Sequence, residues 1–242
     1  MMMMVDLKSF DTASTELLET RNLLKRTDTK YVLNMRELEH LLQGLDEHYC
    51  VIRNKGIGKA PYVSQYFDTP ENKFLFDHHR GRRPRMKIRI RDYPSRELRF
   101  LEVKEKSSRD ETSKTRIPLP YSSVIDSANH QGLHEIKDLR PTLNIKYSRI
   151  TLVGINLNER ITIDMDLSFT FEEKTVALDR LVIIEVKQRK YSSQSPIVTS
   201  LRKVKAVETR VSKYTTGAQL IWPHLKINRF RPRLRTLRRC MA

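Results

Sequence analysis

The residues best placed to do chemistry lie in one stretch. Arg85-Met86-Lys87-Ile88-Arg89-Ile90-Arg91 alternates a cation with an apolar side chain at every step. A strand sends successive side chains to opposite faces, so this one buries Met86, Ile88 and Ile90 and aligns Arg85, Lys87, Arg89 and Arg91 on the other side. Same-face neighbours then stand about 7 Å apart. Like charges in such a row repel one another. On an open sheet they form a wet face, where salt screens much of the cost. On an enclosed face they require a polyanion, because buried charges must be paired.

Other segments repeat the design. Arg26, Asp28 and Lys30 alternate before Asn34. Glu102, Lys104 and Lys106 share a face of Leu98–Lys106, and Lys114 and Arg116 sit on a short strand ended by Pro118. Tyr147 and Arg149 share one side of Leu143–Val153. Arg160, Thr162, Asp164 and Asp166 stand against Ile161, Ile163 and Met165. Ile183, Glu185, Lys187 and Arg189 stand against Val182, Ile184 and Val186. Arginine suits phosphate oxygens through bidentate hydrogen bonds and lysine as a point charge. Helices over the apolar outer face and closure on the charged face would make a tunnel lined by cations. The few acids, notably Glu102 and Glu185, suit a divalent cation, since Mg²⁺ and Mn²⁺ prefer carboxylate oxygen and bridge phosphates. Arg160 and Asp164 read equally as site residues and as a structural ion pair on the wall.

The elements that position these residues follow from local signals. Asn34 with Glu37 is an N-cap with an acid three positions on, and Leu38, Leu41, Leu42 and Leu45 continue as a packing stripe. Tyr49–Arg53 and Tyr62–Asp68 read as strands, and a further short run, Phe74–His79, stops at Gly81. Lys55-Gly-Ile-Gly-Lys59 is a turn; two glycines alone do not make a phosphate loop. His78 and His79 read as surface histidines. Residues 122–130 look helical and lead into a connector. Ser195-Pro196 opens a helix, with Ser195 as its N-cap, proline at its first position and Ile197, Leu201, Val204 and Val207 as its stripe. Ser212-Lys213-Tyr214 precedes a helical run to Ile221. The expected architecture is α+β, mainly β: an antiparallel, closed β-barrel of about eight strands with flanking helices. Residues 1–19 form a loose lead-in, 20–222 the single domain, and 223–242 a basic, mobile tail.

Composition narrows the partners. The chain has 242 residues and a net charge of +17. Seven cations and no acid lie between Pro223 and Ala242; they account for less than half of the excess, so the body too is basic. An acidic partner is implied: nucleic acid, anionic lipid or a phosphorylated compound. Cys50 and Cys240 have no partner at metal-ligand spacing, which fits a reducing compartment. No apolar run reaches the roughly 20 residues that span a bilayer. The expected location is the cytoplasm, with peripheral attachment to the inner face of a membrane left open.

The motifs also match a family in their order. The chain resembles the VTC domain, the polyphosphate polymerase domain within the triphosphate tunnel metalloenzymes and their CYTH-like superfamily. The matching pieces are Arg26-x-Asp28-x-Lys30-Tyr31, Ser64-x-Tyr66-Phe67-Asp68-Thr69, Arg85-x-Lys87-x-Arg89-x-Arg91-x-Tyr93 and Phe100-Leu101-Glu102-Val103-Lys104-x-Lys106. Lys114-x-Arg116, Tyr147-x-Arg149, Arg160-Ile-Thr-Ile-Asp164, Glu185-Val186-Lys187 and Ser212-Lys213-Tyr214 complete the set. The resemblance implies an antiparallel tunnel that binds triphosphate or polyphosphate with Mn²⁺ or Mg²⁺, and a reaction in which ATP donates its γ-phosphate to a growing chain. Carried over by motif, Lys30, Lys87, Arg89, Arg91, Lys104, Lys106, Lys114, Arg149, Lys187 and Lys213 are phosphate ligands. Lys87, Arg89, Arg91, Lys104, Arg149 and Glu185 form the catalytic set, with Glu185 the main metal ligand and Glu102 the second. Asp28 stands where such chains commonly carry glutamate, and its reach is one CH₂ shorter.

Three functions follow as alternatives. With a phosphate chain as acceptor the site is a polymerase; with water it is an inorganic triphosphatase. A non-catalytic polyanion-binding module is the third. Nucleic acid suits it poorly, because aromatics do not interleave the basic strand as stacking platforms would. The tail could meet anionic lipid, polyphosphate at the tunnel exit or a membrane partner.

Overall fold

The computed structural model describes residues 5–21, 23, 25–109, 111–120 and 139–241. The helix expected over 122–130 and the connector after it lie outside the described residues.

Strand β1 (Thr27–Asn34) leads directly into α2 (Met35–Leu42), after a short α1 (Thr15–Thr20). The capping box at this junction forms as expected. Asn34 Oδ1 accepts from the Glu37 N–H at 3.0 Å, and Glu37 Oε2 accepts from the Asn34 N–H at 2.8 Å. β2 (Tyr49–Val51) and β3 (Lys59–Asp68) follow. Phe74–His79 then belongs to a helix, α3 (Lys73–Arg80), whose first turn is held by Asp68: its carboxylate accepts the N–H groups of Phe74 and Leu75, and the Tyr214 hydroxyl at 2.7 Å. Gly81 ends α3 at φ 73, a backbone conformation that costs glycine little.

The charged strands come next: β4 (Arg85–Tyr93), β5 (Leu98–Lys106), β6 (Thr112–Leu119), β7 (Arg140–Gly154), β8 (Glu159–Phe171), β9 (Lys174–Leu178) and β10 (Leu181–Gln188). They are followed by α4 (Pro196–Lys203), β11 (Val207–Glu208), α5 (Lys213–Ile221) and α6 (Arg231–Met241). All ladders are antiparallel, in the order β11-β1-β10-β8-β7-β3-β4-β5-β6, with β2 on β7 and β9 on β8. The mainly-β, antiparallel class holds. Eleven strands replace the expected eight or so, and among the described residues hydrogen bonds do not close the sheet, whose ends are β11 and β6.

Two apolar layers position the charged face. On the outer face α2 and α4 cover Leu33, Ile150, Leu152, Ile161, Ile163, Val182, Ile184 and Val186. Part of the inner face is apolar as well: Val32, Leu143, Ile145, Leu167, Phe169 and Ile183 pack under α5 and α6. Gly217 of α5 lets that helix lie close, since a Cβ there would come within 2.4 Å of Leu143 Cδ2 and Phe169 Cδ1.

Five local expectations change. Strict alternation placed Asp166 with Asp164, but Asp166 has φ 54 at a register shift between β7 and β8 and pairs with Lys59 at 2.7 Å. One extra residue on β8 reverses the phase, so Leu167 and Phe169 join Thr162 and Asp164 on the inner face. Ser195 precedes Pro196 as expected but does not cap α4; its hydroxyl donates to Glu159 Oε1 at 2.9 Å. The α4 stripe stops early, because Val207 is 40% exposed on β11. The lead-in is packed: Phe10 is buried in the outer core, and the Ala13 N–H bonds the Val51 carbonyl at 2.9 Å. The tail is structured too, with Phe230 and Leu237 buried against the inner apolar layer.

Candidate active site

The inner face is built in rows that run across the strands, because side chains opposite one another in register are neighbours. Across β4, β5 and β6 one row reads Lys87–Lys104–Lys114. The next reads Tyr66–Arg89–Glu102–Arg116. On the other half of the sheet the rows read Asp28–Lys187–Arg160, then Lys30–Glu185–Thr162, then Ile183–Asp164–Arg149. The sheet curls until these halves face each other. Lys30 of β1 acts electrostatically on Lys87 and Lys104, although β1 lies far from β4 and β5 in strand order.

Each carboxylate is surrounded. Glu102 is 2% exposed; it accepts from Arg89 Nη2 at 2.6 Å and Lys114 Nζ at 2.7 Å, with Arg116 at 3.7 Å and Arg91 at 3.9 Å. Burial pushes its acid up, but Arg89, Arg91 and Lys114 outweigh burial and hold it down at about 2. Asp164 binds Arg149 through two hydrogen bonds, 2.5 and 2.8 Å, and also Lys213. It too is held at about 2, against burial, by these cations. Glu185 accepts from both Lys30 and Lys187, and Lys187 reaches on to Asp28 Oδ2 at 3.3 Å. Lys30 and Lys187 hold the Glu185 acid far below the usual carboxylate range, against burial.

The lysine row is the exception. Among the described residues neither Lys87 nor Lys104 has a carboxylate ion-pair partner; Lys87 donates to Ser212 Oγ at 3.1 Å. Burial first, then Lys104, Arg89, Arg85 and Lys30, lower the Lys87 amine to about 7. Burial and Lys30 lower Lys104. These residues border a cavity of about 1110 Å³ that also takes in Lys30, Lys106, Arg85 and His78. Two lysines directly opposite each other and without carboxylate ion-pair partners, in a cavity of that size, can take an anion with several oxygens.

Every residue nominated from sequence for phosphate or metal lies on this inner face or, for Lys213, at the start of α5 against it, but in distinct settings. Lys30, Lys87, Lys104 and Lys106 border the cavity. Arg89, Arg91, Lys114, Arg149, Lys187 and Lys213 are each engaged by a carboxylate. Arg85, which as the entrance residue of this strand reads as solvent-facing, lines the cavity, its Nε buried without a hydrogen-bond partner. Arg160 and Asp164 do not pair: register sets Arg160 opposite Lys187, and Asp164 belongs to Arg149 and Lys213. His78 is no surface histidine. Burial, Lys87 and Arg85 lower its imidazole to about 2, so it stays neutral. The alternation pattern carries no signal for His78, which sits on a helix. Aromatic rings also flank the arginines: Arg89 bonds the Tyr66 hydroxyl at 2.9 Å, and Arg149 lies 5.0 Å from the Tyr62 ring centre. Both come from β3, a neighbour that scanning the basic strand alone does not reveal.

Of the two carboxylates nominated for a divalent cation, Glu185 is the more accessible, although Lys30 and Lys187 hold its two oxygens. Glu102 is enclosed by cations on both oxygens. Glu185 is partly accessible, and Lys187 links it to Asp28. No group of three or more His, Cys, Asp or Glu that could hold a metal occurs among the described residues. A cation held by Glu185 would therefore take its other ligands from phosphate and water, as Mg²⁺ commonly does.

Comparison with known proteins gives the family. The sequence pattern of the VTC domain matches residues 25–222. No curated protein matches the sequence. Among solved structures, a candidate adenylyl cyclase from Hippeastrum, described as having a dominant triphosphatase activity, is similar at 11% identity and a TM-score of 0.50, covering 80% of this chain and 95% of that one. A candidate adenylate cyclase from Bacillus halodurans gives 14% identity and a TM-score of 0.48, covering 85% and 97%.

Proposed function

The chain belongs to the VTC domain family, and from that premise we propose that it is a metal-dependent polyphosphate polymerase, moving the γ-phosphate of ATP onto a growing inorganic polyphosphate chain. The observation that carries this reading is the Lys87–Lys104 pair, in register, without carboxylate partners and open to the cavity.

Phosphoryl transfer needs positioning and charge neutralisation more than covalent help from the protein. Lys87, Lys104 and Lys30 hold the phosphates in line, and Arg89, Arg91 and Arg149 offset charge that spreads over the transferred group. Glu102 and Asp164 act by orienting these cations, fixing the arginine planes through paired hydrogen bonds. Glu185, with Asp28 nearby, would hold Mn²⁺ or Mg²⁺. The metal, when bound, supplies Lewis-acid polarisation of a phosphoryl oxygen. With a metal on Glu185, Lys30 and Lys187 would be free to bind phosphate. A terminal phosphate oxygen of the acceptor chain attacks the γ-phosphorus of ATP, the bond from that phosphorus to the β,γ-bridging oxygen breaks and ADP leaves, so no protein nucleophile is required.

The triphosphatase reading uses the same site with water as acceptor, and the activity described for the Hippeastrum protein, which shares the fold, favours keeping it. Residues 20–222 form the working unit in either case. Arg231, Arg235 and Arg238, exposed around a separate groove beside Trp222 and Leu225, are where an anionic surface or membrane partner would meet the chain; no helix among the described residues is long and apolar enough to cross a membrane. Incubation with ATP and Mn²⁺ or Mg²⁺, followed by chain-length analysis, tests the function. Long chains support the polymerase, orthophosphate alone supports the triphosphatase, and no transfer or release with any divalent metal overturns both.

A further inference from the structure

The cavity does not stop at the lysines. Its outer border is made by residues beyond the span matched to the family: Arg229, Phe230 and Arg233. Their backbone is anchored. The Arg229 N–H donates to His79 Nε2 at 3.2 Å, its guanidinium donates to the Arg80 carbonyl at 3.0 Å, and the buried Phe230 ring meets the His79 ring edge-on at 5.4 Å. Arg233 follows one helical turn after Arg229, its guanidinium 5.6 Å from the Phe230 ring centre. Arg210, from the segment between β11 and α5, borders the same space.

This arm brings arginines together where carboxylates are scarce. Among the described residues the acids on the cavity border are Asp28 and Glu208, and Asp28 is engaged by Arg26 and Lys187. Among the described residues Arg229 and Arg233 have no carboxylate partner. Burial, and then Arg210, disfavour the Arg233 charge. Guanidinium groups held in such a setting are relieved by phosphate oxygens, which match their planar donors. Arg85 and Lys106, opposite each other one row along from Lys87 and Lys104, line the same cavity as the arm.

We infer that the arm carrying Arg229 and Arg233 adds an outer phosphate subsite, so that the cavity holds linear polyphosphate longer than a triphosphate in preference to tripolyphosphate. The inference rests on the phosphate-binding reading of the inner face.

Calorimetric titration of the full chain with tripolyphosphate and with long-chain polyphosphate, without nucleotide, tests it. In the Arg229→Gln/Arg233→Gln variant the affinity for long chains should fall about tenfold or more, while that for tripolyphosphate changes less than about twofold. The salt dependence of long-chain binding should lose roughly 1.4 units of slope, taking about 0.7 per phosphate contact as for single-stranded nucleic acid. Arg233→Gln alone, which leaves the Arg229 anchors in place, should show part of the same selective loss, and thermal melts report whether either variant is folded. Equal weakening of both ligands, or weakening of neither, in folded Arg233→Gln overturns the subsite. Wild-type protein that binds neither ligand overturns the phosphate-binding reading itself.

Discussion

Filling the lysine row with phosphate should draw a proton from solution. Lys87 faces Lys104 across β4 and β5, with Arg89 and Arg85 on its own strand, Lys30 from β1, and the neutral His78 and the Ser212 hydroxyl beside it. With its amine near 7, roughly nine in ten Lys87 side chains are neutral at pH 8 in the empty site. A phosphate oxygen about 4 Å from the amine contributes on the order of 4 kcal/mol at an effective dielectric of about 20. At about 1.4 kcal/mol per unit this restores the pKa toward its ordinary value. Tripolyphosphate binding at pH 8 should therefore take up about 0.9 proton at Lys87, and close to none at pH 6, where the amine already holds its proton. Calorimetry in two buffers of different ionisation enthalpy measures the uptake, and Lys87→Gln subtracts the ligand's own titration. Removing the facing charge with Lys104→Gln should raise the Lys87 pKa and shrink the uptake. Equal uptake in wild type and Lys87→Gln at pH 8 would refute the reasoning. The same lowered pKa has a stability signature. Between about 7 and about 10.4 the unfolded chain holds the proton and the folded chain does not, so the phosphate-free protein gains stability as pH rises through that window.

Three further outcomes are expected. Glu185→Gln should lower turnover about a hundredfold or more, because metal polarisation contributes several kcal/mol, while metal-free tripolyphosphate binding survives; unchanged turnover would remove Glu185 from the metal site. Glu102→Gln leaves Arg89 and Lys114 without their buried carboxylate and should cost about 3–5 kcal/mol. Its melting temperature should drop and partly recover with tripolyphosphate, and an unchanged melt counts against the cluster as described. Gly217→Ala pushes a methyl into Leu143 and Phe169 and should destabilise by about 1–3 kcal/mol in denaturant titration.

Much of the site was legible because the strand repeat is local. Lys87, Arg89, Lys104, Glu185 and Lys187 could be placed on one face from alternation alone, and the Asn34–Glu37 box could be read from two residue types three apart. Reading failed where one residue breaks the period. At Asp166 a left-handed backbone reverses the phase of β8, and no residue type there announces it. It failed also where a local role lost to a distant partner: Ser195 turns from the α4 terminus to the buried Glu159, and Val207 leaves the expected stripe for an edge strand. The basic tail read as mobile because charge dominates its composition, yet Phe230 and Leu237 suffice to dock it.

By itself the sequence determined which residues carry charge, which face of each strand they occupy and, through the order of the motifs, the family. These follow from a two-residue period and from residue types, properties each segment holds alone. The tertiary structure decided which charges remain unpaired. Register brings Arg89 to Glu102 and Arg149 to Asp164 while leaving Lys87 opposite Lys104, and the curl of the sheet adds Lys30 from a remote strand. Those neighbours lie far apart along the chain, so pairing strengths and pKa values arise only when the strands meet.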